Sequence, residues 1–105
     1  MKKDRWVEES IQLINQHLQL EEGELSIVHH EDVDTELFRQ LLPLVQRLLD
    51  QDMSRLLNAL YRIDVAESKV NAILHLADPD KIAPMLARLI MDREYQKVET
   101  RKKYS

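Results

Sequence analysis

The chain contains no cysteine, one glycine and three prolines. Without cysteine there is no disulfide framework, no thiolate nucleophile and no cysteine-ligated zinc or iron–sulfur centre. A single glycine, Gly23, cannot build the glycine-rich loop that cradles a phosphate or a dinucleotide. No apolar run approaches the roughly 20 residues that a membrane span requires. Charges at Lys2, Lys3, Asp4 and Arg5 leave no room for the apolar stretch of a signal peptide. These absences point to a soluble, cytoplasmic protein with no membrane partner.

What is present points to helices. Glycines and β-branched residues are few and leucines are many. At 105 residues the chain is one domain, and a domain of this size buries roughly two-thirds of its unfolded surface. Hydrophobic residues make up 44% and charged residues 32%, enough of the first for a core and more of the second than the globular norm.

Charge is uneven along the chain. Glu21 to Glu36 holds seven acids and no Lys or Arg, whereas Asp92 to Ser105 holds five bases against three acids. Attraction between these regions could act within one molecule or between two. The plainer reading is solvated surface, because exposed charge pairs contribute little.

Apolar periodicity places the elements. Val7, Ile11, Ile14 and Leu18 predict a first helix over 4–21, with Gly23 as its left-handed terminator. Residues 21–33 read as an acidic extended linker, and 22–32 as the most mobile internal stretch. Asp34 is placed to cap a second helix, with Phe38 at the position of a hydrophobic staple. Pro43 either kinks that helix or starts a new one. Asp52 caps a helix bearing Met53, Leu56, Leu57 and Leu60, and Asp64-Val65-Ala66-Glu67 reads as a capping box for the next. Asp80 or Ala83 opens the last helix, with Pro84 in its first turn. Its stripe Ala87, Met91, Tyr95 and Val98 continues beyond a first stripe of Ile82, Leu86, Leu89 and Ile90, and 99–105 read as a frayed basic tail. The expected fold is all-α, a single compact bundle of five or six helices centred on Leu56, Leu57, Leu60, Val70, Ile73 and Leu74.

Chemistry-bearing motifs are sparse. His29-His30-Glu31-Asp32 has metal-ligand residue types, but adjacent histidines point apart and the helical His-x-x-x-His spacing is missing. His17 and His75 lack matching second ligands, and no serine sits in a nucleophile motif. No catalytic residue, no metal ligand, no cofactor and no small-molecule ligand is therefore expected. Arg93, Lys97 and Arg101 share one helix face, the right residue types for phosphate contact. Asp92, Glu94 and Glu99 beside them make nucleic acid the second choice.

Leu56-Leu57-Asn58-Ala59-Leu60-Tyr61-Arg62-Ile63-Asp64-Val65, together with Ala87-Arg88-Leu89-Ile90, Arg93 and the run from Gln96 to Tyr104, resembles a small bacterial family of helical proteins. That resemblance covers the second half of the chain and implies a stand-alone bacterial helical protein, with no activity or binding residue to carry over.

The resulting expectation is a non-enzymatic protein-interaction module, possibly homodimeric. Its partner-binding residues are Trp6, Met91, Arg93, Tyr95, Lys97 and Val98. The alternative is a nucleic-acid-associated protein using its basic last helix. Should the stripe instead be covered within the molecule, the first helix is the segment that would close over it.

Overall fold

A computed structural model describes the backbone of residues 2–18 and 33–104, and the side chains of 9–18, 34–101 and 103. Among these residues there are five helices and no strand: α1 (Lys2–Leu18), α2 (Val33–Gln51), α3 (Met53–Ile63), α4 (Glu67–Leu76) and α5 (Pro79–Tyr104). The expected extended linker and its mobility lie outside the described residues.

The helices pack around α5. α1, α2 and α3 each touch α5 and one another, while α4 touches α5 alone. The reason lies in the pattern of α5: Ala83, Leu86, Ala87, Ile90, Met91 and Val98 are all buried. They cover a wider arc than one neighbour can fill. The two stripes read from the sequence are thus one broad core face. Into it project Ile14 and Leu18 from α1, Leu37, Leu41 and Val45 from α2, and Leu56, Leu60 and Ile63 from α3. Fully burying one such leucine contributes about 1.5–3 kcal/mol before entropy is counted.

Local signals explain the helix ends. Asp52 Oδ1 accepts the Arg55 amide at 3.1 Å and caps α3. Asp64 takes a different role from the one its sequence suggests. It stands at φ 65°, ψ 47°, the left-handed C-cap of α3, and its amide donates to the Leu60 and Tyr61 carbonyls at 3.0 and 3.1 Å. Aspartate is one of the few residues that visits this region readily. α4 consequently starts from Ala66, with no side-chain cap.

Pro43 neither splits nor ends α2, which is helical throughout. Its side is exposed, so water can serve the carbonyl that its missing N–H leaves over. α5 begins at Pro79, the favoured first position for proline, and stays helical through Tyr104, including most of the stretch read as a tail. Leu56, Leu60, Val70 and Ile73 are buried as expected. Leu57 is a correction: it is 44% exposed, and Leu74 is only half-buried. Leu57 lies at the flank of the α3 stripe, just past the arc that its neighbours cover.

Candidate interaction surface

The residues singled out on α5 take three kinds of position. Met91 and Val98 are fully buried. They are corrections to the expected binding set, because in the folded chain neither offers surface to a partner. α1 packs along α5, so the apolar stripe is closed within the molecule. The side chain of Trp6 lies outside the described residues.

Tyr95 is half-buried and engaged. Its hydroxyl donates to Asp34 Oδ1 at 2.9 Å. Arg88 grips the same carboxylate with two bonds of 2.9 and 3.0 Å and also reaches Asp92 Oδ1 at 2.7 Å. The result is a clamp between α5 and the start of α2. Bidentate Arg–carboxylate geometry fixes orientation as well as distance. Hydrogen bonds to Asp34 and Asp92 push the Arg88 guanidinium further above its already high value. Burial, followed by the bond to Asp34, pushes the Tyr95 phenol above its usual value.

Arg93 and Lys97 hold the far end of α3. Arg93 Nε donates to the Asp64 carbonyl at 3.0 Å and its Nη2 reaches Asp64 Oδ2 at 3.3 Å. Lys97 Nζ donates to the Arg62 carbonyl at 3.3 Å. Cations at a helix C-terminus complement both the unpaired carbonyls and the helix dipole. Arg55 does the same for α1, donating twice to the Leu18 carbonyl at 3.1 and 2.8 Å. Arg88, Arg93 and Lys97, three of the α5 cations, thus tie helices together.

One polar contact escaped the sequence reading. Glu94 is fully buried, and its Oε1 lies 2.6 Å from His17 Nδ1. With the imidazole protonated this is an ion pair; His17 itself is 18% exposed. Glu94 Oε2 has no hydrogen-bond partner, and a buried acceptor left unsatisfied costs about 1–3 kcal/mol. The signal was available. Glu94 stands three after Met91 and four before Val98, in the middle of an apolar arc where a carboxylate needs a partner. Ser10, also fully buried, sits one turn before Ile14 on the same side of α1.

The exposed apolar residues lie elsewhere. Met53, Leu57 and Tyr61 recur every fourth residue along α3, at 37%, 44% and 87% exposure. Ser54 and Asn58 are exposed beside them. A second group, Leu76 and Met85, borders a groove of about 370 Å³ between α4 and α5, lined also by Ala72, Ile73, Ala77 and Lys81. Among the described residues no three His, Asp or Glu side chains come together as a metal site. His29 and His30 are outside them. No described helix is long and apolar enough to cross a membrane.

No protein-family model, curated protein or solved structure matches this chain.

Proposed function

We propose that this chain is a non-enzymatic helical protein-interaction module, and that its binding face is the α3 strip of Met53, Leu57 and Tyr61. The observation that carries the reading is their exposure at a spacing of four in a molecule that buries the rest of its α3 apolar residues. Contiguous exposed apolar surface with a polar margin is what a protein partner covers. Tyrosine in particular is over-represented among residues that dominate binding. The roles found for the polar clusters support the same reading: Asp34–Arg88–Tyr95, Arg93–Asp64 and Arg55–Leu18 each fix one helix to another.

The test is a matched pair of baits. Partners captured from the native cell by the parent chain should be lost with the double variant Leu57→Glu, Tyr61→Glu, while its circular dichroism and melting temperature stay close to the parent's. Both positions are exposed, so folding tolerates the change. Capture that is equal with both baits would refute the assignment to α3.

A further inference from the structure

The chain holds four methionines and no cysteine. Its oxidisable sulfurs are therefore all thioethers, with no thiol to intercept an oxidant before them. Met1 lies outside the described residues. The other three differ sharply in access: Met53 and Met85 are 37% and 45% exposed, whereas Met91 is fully buried. Met91 belongs to the apolar core, and Met53 and Met85 do not. Each accessible thioether also sits on an exposed apolar patch. Met85 borders the groove between α4 and α5, beside Leu76. Met53 opens the α3 strip, one helical turn before Leu57 and two before Tyr61.

We infer that Met53 is an oxidation-sensitive position that switches the α3 strip, with a peroxide as oxidant and a thiol-dependent sulfoxide reductase as the means of return. The inference rests on the reading of that strip as the binding face. In the forward step a sulfur lone pair attacks one peroxide oxygen. An S–O bond forms as the O–O bond breaks, and the sulfur is oxidised by two electrons. The second peroxide oxygen takes the proton of the first and leaves as water. In the return step two thiols become a disulfide and the sulfoxide oxygen leaves as water.

The sulfoxide is polar and chiral where the thioether was flexible and apolar. Covered by a partner, its oxygen needs a hydrogen-bond donor that an apolar contact does not supply. Position limits the damage to the fold. Met53 is the first residue of α3, beside its Asp52 cap, and stands outside the buried set Leu56, Ala59, Leu60 and Ile63. Met91, whose oxidation would put a polar oxygen into the core, is shielded by burial.

The test follows each methionine of the folded full-length chain by peptide mass spectrometry during treatment with hydrogen peroxide. Met53 and Met85 should gain oxygen about tenfold or more faster than Met91, and in urea the three should react alike. The oxidised chain should keep its circular dichroism and melting temperature. Baits for binding carry Met85→Leu, so that a change at the strip is read without the groove. Peroxide should remove the proteins that the untreated bait captures from the native cell, and reductase with thiol should restore them. Met53→Leu should hold them through peroxide, and Met53→Gln, polar without oxidation, should fail to hold them. A Met53 that reacts no faster than Met91 in the folded chain overturns the inference, and so does an oxidised chain that unfolds. Capture that is lost with Leu57→Glu, Tyr61→Glu but unchanged by oxidation of Met53 overturns the switch and leaves the α3 strip standing. Capture that is equal with the parent and with that double variant overturns both.

Discussion

Two of the polar contacts that hold α5 to its neighbours, those with α2 and with α1, are built in opposite ways. Towards α2, Asp34, Arg88 and Tyr95 form a network with several bonds, and the Arg88 and Asp34 side chains are 41% and 44% exposed. Towards α1, Glu94 is fully buried and has one described partner, His17. Water can replace a lost member of the first network. It cannot reach Glu94 without opening the seam. Bond count is thus a poor guide to importance here: the contact with fewer bonds has more at stake, because burial removes the alternative.

The largest effect is expected at the buried contact. His17→Ala leaves a carboxylate enclosed without its partner and should destabilise the fold by about 3–5 kcal/mol in urea unfolding. A loss under about 1 kcal/mol would mean that Glu94 finds water or another donor. A purely apolar contact sets the scale: Leu60→Ala should cost about 2–5 kcal/mol, and a value under about 1 kcal/mol would remove Leu60 from the core. Replacing both members, His17→Leu with Glu94→Leu, should be neutral or stabilising by about 1–4 kcal/mol, because the desolvation of both groups disappears together. Non-additivity of this pair in a double-mutant cycle is the measurement that decides whether they act as one unit.

The exposed side should respond weakly. Arg88→Ala should cost about 0–1 kcal/mol, in keeping with an exposed ion pair, and the cost should shrink at high salt. A loss comparable to that of His17→Ala would dissolve the contrast between the two sides. The smallest effect is one of pH. The folded-state value of the Tyr95 phenol is raised above its ordinary 10.0. The folded state therefore holds that proton more tightly than the unfolded state. Its contribution is complete below about pH 10 and is lost as the pH rises from there through the folded value. Stability measured against pH should decline on the alkaline side, and Tyr95→Phe should flatten that part of the decline. Identical slopes in the two proteins would show that the phenol is not shielded.

Which parts of this were legible in the sequence follows from what each signal depends on. The all-helical fold, Asp52 as a cap and the core positions Leu56, Leu60, Val70 and Ile73 are properties of one helix and its period. They were readable because the pattern and the structure share the same 3.6-residue repeat. Asp64 reads as the start of α4 because the same aspartate can start one helix or end the previous one; in the fold its amide closes α3 on the Leu60 and Tyr61 carbonyls. Met91 and Val98 read as partner-binding or as covered by the first helix, because a wide apolar face looks the same in both cases; the fold takes the second, with α1 packed on α5. Leu57 went the other way, since its exposure depends on how far its neighbours reach around α3. The His17–Glu94 contact, spanning 77 residues, leaves no trace in local spacing beyond a carboxylate in an apolar arc.

The place of α5 in the chain has a consequence for how the protein is made. The helix that touches all four others is the last of the five in sequence. During synthesis at roughly 5–20 residues per second, α1 to α4 leave the ribosome before the surface that organises them exists. α2 and α3 can pair early, since they are adjacent and in contact. α1 and α4 gain their α5 contacts only when residues 79–104 emerge. Ribosome-bound chains stalled before Pro79 should therefore be cut readily by protease within α1, and protection there should arrive abruptly once α5 is clear of the exit tunnel. Assembly of this bundle is completed late, when its most connected helix is translated.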